Sequence, residues 1–174
     1  MKRCIKLGLL FAVMMCLALT VACTKKQPAP VEPTVAPVTA QDDTISEQEL
    51  ERQRQAQRAE AAKAEFLNAK VYFAFDDASL SEQARETLNA QANWLQENSG
   101  ATVVIEGHAD SRGTDEYNLA LGSRRAESVK NFLNNLGIDS SRLITISYGE
   151  ERPAVPGEND DAWTQNRRVE FRIQ

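Results

Sequence analysis

Six residues in one short stretch, His108, Asp110, Arg112, Thr114, Arg124 and Arg125, carry most of the chemistry this sequence offers. They fall within EGHADSRGTDEYNLALGSRRAESV, Glu106 to Val129, which reads as a strand end, a polar loop containing Gly113 and the start of a helix. Asp110 can accept from an ammonium, and Arg125, fifteen residues later, offers a planar fork to a carboxylate. An acid and an arginine so placed suit a ligand with both signs of charge, either a zwitterion or a charged peptide. The same two residues also suit each other. A direct Asp110–Arg125 pair would lock loop to helix, and such a pair can exchange with a ligand. On a helix Arg124 and Arg125 project about 100° apart, so at most one of them faces the loop squarely.

Other chemistries find less support. His108 is the only histidine. With Asp110 and Glu106 it makes too thin a donor set for zinc, the more so if strand alternation turns Glu106 to the opposite face. A lone histidine here is expected to hydrogen-bond the backbone and hold a turn, so no metal is assigned. Ser111 or Ser123 beside His108 forms neither a nucleophile elbow nor a triad pattern, so no catalytic residue is assigned and the chain reads as a binder, not an enzyme. The cysteines are Cys4, Cys16 and Cys23, which excludes a disulfide framework or a cysteine-ligated metal in everything that follows. The formal net charge is −5, and residues Ala69 to Gln174 hold 11 Lys/Arg against 17 Asp/Glu, a balance of −6. A general nucleic-acid binder would show a basic stripe instead.

The elements that must position the loop can be read from periodicity. Val71, Phe73 and Phe75 alternate with Tyr72 and Ala74, predicting a half-buried strand that Asp76-Asp77 breaks. Helical spacing from Ser81 to Asn98 puts Ala84, Leu88, Ala92 and Leu95 on one face, with Gly100 after its end. Thr102 to Glu106 predicts a second strand. Thr114 is a candidate N-cap, with Asp115 and Glu116 in the first turn of a helix running to about Leu136 and burying Leu119, Ala126, Val129, Leu133 and Leu136 in whole or part. Leu143 to Tyr148 predicts a third strand, Gly149 to Asn166 a loop with a short helix around Asp160 to Gln165, and Arg168 to Ile173 a last strand. Strands separated by helices predict a two-layer α/β sandwich of the α+β kind with some parallel pairing; strand order does not follow.

The N-terminal third reads as delivery equipment. Lys2, Arg3 and Lys6 precede an uncharged apolar run, Leu7 to Val21, too short to span a membrane and fitting a signal peptide over residues 1–22. Leu19-Thr20-Val21-Ala22-Cys23 resembles the lipobox of bacterial lipoproteins, which implies acylation of Cys23 and a lipid partner. Residues 23–45 include Pro28, Pro30, Pro33 and Pro37 and read as an extended tether. Residues 46–68 begin with an S-x-x-E capping box and continue as a charged stalk helix with no heptad seam. Phe66 and Leu67 are expected to dock its end on the domain at 69–174.

Gly107, His108, Asp110, Gly113, Tyr117, Asn118, Leu121, Arg125, Ala126 and Val129 follow one another at the spacing of a known signature. With VYFAFD, SYGEERP and NRRVEF around them, they resemble the OmpA-like peptidoglycan-binding domain, over essentially Ala69 to Gln174. The resemblance implies a mixed four-stranded sheet with helices on one face. It implies binding, without cofactor or chemistry, of the meso-diaminopimelate of the peptidoglycan stem peptide. Asp110 and Arg125 would be the main ligands, Arg112, Thr114 and Leu121 would line the pocket, Asp76 would contribute through its backbone, and Asn166 and Arg167 would touch the peptide's end. It also implies an outer-membrane lipoprotein facing the periplasm, with the β-propeller protein and other components of the Tol system as partners. The alternative is an OmpA-like lipoprotein that serves another envelope complex as a protein-interaction module, docking through the helix at 46–68.

Overall fold

The computed structural model describes residues 46–174. The signal peptide, Cys23 and the Pro-rich tether lie outside the described residues. Helix α1 (Glu47–Asn68) is capped by Ser46, whose hydroxyl accepts from the Glu49 backbone N–H. Only Phe66 along it is buried, and its ring stacks on Trp94 at 4.2 Å between centroids. Strand β1 (Val71–Tyr72) is shorter than the alternation predicts. Phe73 still donates its N–H to the Arg167 carbonyl, but Asp76 adopts φ 53° and turns the chain out of the sheet. Helix α2 (Glu82–Glu97), capped by Ser81, buries Ala84, Leu88, Ala92 and Leu95 as its spacing requires.

Strand β2 (Val103–His108) runs two residues beyond the predicted end and delivers His108 to its tip. Helix α3 (Asp115–Asn135) starts at the Thr114 cap. A 3₁₀ turn (Ser140–Arg142) leads into β3 (Leu143–Gly149), and α4 (Asp160–Asn166) precedes β4 (Arg168–Ile173). The sheet order is β1-β4-β2-β3, with β2 and β3 parallel and β4 antiparallel to both β1 and β2. The sheet is therefore mixed and four-stranded, in an α+β fold.

Side chains Val103 and Ile105 of β2 and Val169 and Phe171 of β4 meet Leu88, Leu95, Ala126, Val129, Leu133 and Phe66 in one core between sheet and helices. Leu119 departs from expectation: it is 47% exposed, and the neighbouring polar Asn118 is buried instead. Strand β2 and helix α3 approach each other closely. A methyl placed on Gly107 would lie 2.0 Å from the Gly122 carbonyl oxygen, and one on Gly122 would lie 2.4 Å from the Ser147 hydroxyl oxygen. Only glycine at both positions lets helix backbone rest on strand backbone, which seats the first turns of α3 against the loop.

The other face of the sheet mixes apolar residues such as Val104 and Ile144 with charged ones. Glu106 and His108 both point there, because they are two residues apart on β2, and Glu170 joins them as the cross-strand partner of Glu106. The expectation that Glu106 and His108 take opposite faces is thus corrected: alternation separates neighbours, not residues two apart.

Candidate functional site

The loop between β2 and α3 is held from three sides. Asn118 donates from its amide to the Arg112 carbonyl at 3.2 Å and to the Glu150 carboxylate, binding the loop to α3 and to the segment after β3. The Thr114 hydroxyl accepts from the Tyr117 N–H, so this side chain is committed to the helix start. Gly113, at φ 116°, makes the turn between them.

Asp110 is 4% exposed and has both oxygens engaged. Oδ1 accepts from the Arg112 backbone N–H and Nε, both at 3.2 Å, while Oδ2 accepts from Arg112 at 2.6 Å and from Arg167 at 3.2 Å. Burial pushes this carboxyl up, but the hydrogen bonds from Arg112 and Arg167 outweigh it and hold the group below its usual range. The Arg112 guanidinium lies between two aromatic rings, 4.0 Å from the Phe75 centroid and 4.2 Å from that of Trp163. The Trp163 indole N–H in turn donates to the Ser111 hydroxyl, fixing α4 against the loop.

Arg125 does not pair with Asp110, so a direct loop-to-helix ion pair is ruled out as the arrangement here. Its side chain is fully buried and bridges three backbone carbonyls, with Nε to Asp77 at 2.9 Å, Nη1 to His108 at 2.8 Å and Nη2 to Ala74 at 3.0 Å. It knits the ends of β1 and β2 together from inside α3. Burial pulls its guanidinium down to about 10, opposed by the charge of Asp110, and it stays protonated at neutral pH. Three of its five N–H groups are used and two remain. Arg124, its neighbour, is exposed over the Tyr117 ring.

Between these groups is a cavity of about 190 Å³ whose wall includes Asp76, Asp110, Arg112, Leu121 and Arg125. These are five of the six residues assigned from the sequence. The sixth, Thr114, does not line it, because its hydroxyl caps α3. Asp76 contributes its side chain, which accepts from the Tyr117 hydroxyl. Phe75, Gly113, Tyr117 and Asn118 complete the wall and were not assigned. Tyr117 and Asn118 stand within the signature itself, so their spacing of one helical turn from Leu121 was a usable signal. Nothing in the sequence links Trp163 to Arg112. Asn166 holds the Val155 backbone through both ends of its amide, and Arg167, through Asp110, belongs to the site.

His108 does not hold a turn with its ring. Both ring nitrogens are buried and lack a hydrogen-bond partner among the described residues, and it is the main-chain carbonyl that serves Arg125. Burial draws the imidazole down to about 4, with Arg168 adding to the effect and Glu170 opposing it.

Comparison with known proteins agrees with the fold. The OmpA family model matches residues 72–167, more than half of the chain. The peptidoglycan-associated lipoprotein of Mesorhizobium japonicum is 48% identical over 103 residues, 59% of this chain and 61% of that protein. That of Haemophilus influenzae is 47% identical over 99 residues, 57% of this chain and 65% of that protein. Among solved structures, the peptidoglycan-associated lipoprotein from Burkholderia pseudomallei superposes with a TM-score of 0.59 at 39% identity, over 60% of this chain and 89% of that one. The match thus spans less than two thirds of the length of these curated relatives.

Proposed function

This chain belongs to the OmpA family, and on that premise we propose that its folded part grips peptidoglycan non-covalently by the free end of meso-diaminopimelate. That end carries an ammonium and a carboxylate on one carbon. The observation that carries the reading is the 190 Å³ cavity lined by both Asp110 and Arg125, the latter with two N–H groups that no carbonyl takes. Three carbonyls fix Arg125 in place, so the carboxylate meets a donor whose orientation costs nothing further on binding. Asp110 takes the ammonium in place of Arg112, whose side chain is a third exposed and can withdraw along the Phe75 and Trp163 rings. Leu121 packs on the methylene stem, and Asp76 with Tyr117 closes the rim.

The relatives named as peptidoglycan-associated lipoproteins support the same reading for the matched part, and the lipobox-like sequence at Cys23 extends it to the rest of the chain. In it, acylated Cys23 anchors in outer-membrane lipid, the domain faces the periplasm, and the chain ties membrane to wall. The β-propeller protein and other components of the Tol system are its protein partners, and the grip involves no bond-making step.

Binding of full-length chain to purified sacculi tests this. Asp110→Asn preserves shape and removes the charge. It should cost about 2 kcal/mol or more, on the order of thirtyfold in affinity. A diaminopimelate peptide should outbind its lysine counterpart, which lacks the second carboxylate. Equal binding by Asp110→Asn, or by the lysine peptide, overturns the assignment.

A further inference from the structure

We propose that Glu106, His108 and Glu170 form a binding site for one divalent transition-metal cation of the zinc class, on the sheet face away from the helices. One carboxylate oxygen from each glutamate and one ring nitrogen of His108 all lie within 4.8 Å of one another. The sheet makes this set: Glu106 and His108 share a face of β2, and Glu170 is the registered partner of Glu106 on β4.

The second observation is the histidine itself. It is 2% exposed, aimed at both carboxylates, and has no partner on either nitrogen among the described residues. An imidazole nitrogen left so in the interior forfeits a hydrogen bond, and a metal ion is the ligand that a neutral imidazole with two carboxylates suits best. Stacking on Tyr148, at 5.6 Å between centroids, holds the ring in place.

Among the described residues four cations already surround the cluster, Arg152 among them over the Tyr148 ring at 3.7 Å, yet each glutamate keeps one oxygen free. Lys70 at 3.1 Å and Arg168 at 2.6 Å both bond the same Glu170 oxygen, Oε1, and Arg172 bonds Oε1 of Glu106 at 2.9 Å. The Oε2 atom of each glutamate accepts from no donor among the described residues. Arg172 is 54% and Lys70 35% exposed, so both can give way to solvent as a cation enters. Arg168 is buried and also donates to the Arg152 carbonyl, so it remains and keeps the affinity modest. A bound ion would cross-link β2 to β4 two residues from Asp110 and three from Arg167.

Because the chain has a single histidine, its ring nitrogens report occupancy directly and the cysteines cannot mimic the signal. Full-length chain in detergent, with ¹⁵N-labelled histidine, is titrated with Zn²⁺ and separately with Mg²⁺. Zn²⁺ should shift one ring nitrogen and saturate at roughly one ion per chain, while Mg²⁺, which favours oxygen and water, should not. Glu106→Gln should weaken Zn²⁺ by about tenfold or more, since even an outer-shell partner is worth that much. Arg172→Gln should tighten it several-fold by removing a competitor, an effect that loss of a merely structural ion pair would not give. A ring that ignores Zn²⁺, a Glu106→Gln chain that titrates like the wild type, or an Arg172→Gln chain that binds more weakly overturns the site.

Discussion

Asp110 already carries Arg112 on both of its oxygens and Arg167 on one, so an incoming ammonium competes with arginine rather than with water. That favours a ligand able to satisfy the displaced arginine, which a second charge of opposite sign does. His108 sets a different dependence. Unfolded, it takes up a proton below its ordinary value of 6.5; folded, it resists until about 4. Between those values the unfolded chain holds more protons, so this contribution is complete above pH 6.5 and is lost as pH falls to 4. Urea unfolding across that window should show a loss of about 3 kcal/mol, and a His108→Asn variant should lack most of the slope. At this scale residue types were legible and their partners were not: five of the six assigned residues meet at one cavity, and Thr114 caps a helix instead. Asp110 and Arg125 are visible by type, but Asp110 finds Arg167 from 57 positions away, and Arg125 spends its donors on backbone carbonyls that no sequence pattern advertises.

The elements that the sequence predicted well are those with one apolar face. Helix α2 and strand β4 fall where their periodicity puts them, because each buries one side in the core. Strand β2 runs longer than its apolar residues suggest, since Glu106 and His108 continue it on the face away from the helices. Strand β1 is shorter, because the Phe73 and Ala74 carbonyls accept from the Arg167 and Arg125 side chains rather than from a neighbouring strand. Strand order is invisible locally: β4 inserts between β1 and β2, and only long-range pairing decides that. The contact of β2 with α3 at Gly107 and Gly122 depends on the absence of a side chain, so Gly107→Ala should cost about 3 kcal/mol, read as a lowered urea midpoint. The same variant should weaken sacculus binding, because α3 carries Arg125 and Leu121 to the cavity.

For the whole molecule, the proposed role assigns anchoring and gripping to different ends. Cys23→Ser should abolish acylation and move the chain out of the membrane fraction while leaving its affinity for sacculi intact. Deleting residues 47–61 should likewise leave sacculus binding unchanged, because all of them are exposed, whereas the competing interaction-module reading expects loss of a partner. Phe66 marks the point where the chain becomes part of the folded core, stacked on Trp94 and packed on Phe171. A pull between membrane and wall would therefore enter the domain at Phe66 and leave through the Asp110 cavity. Survival under such a load depends on the rate of unfolding rather than on equilibrium stability. Upstream of Phe66, helix α1 has almost nothing buried to lose. That part of the helix, residues 47–65, measures about 29 Å as a helix and about 65 Å drawn out. Helix α1 can thus lengthen like a spring under tension and spare the grip beyond it.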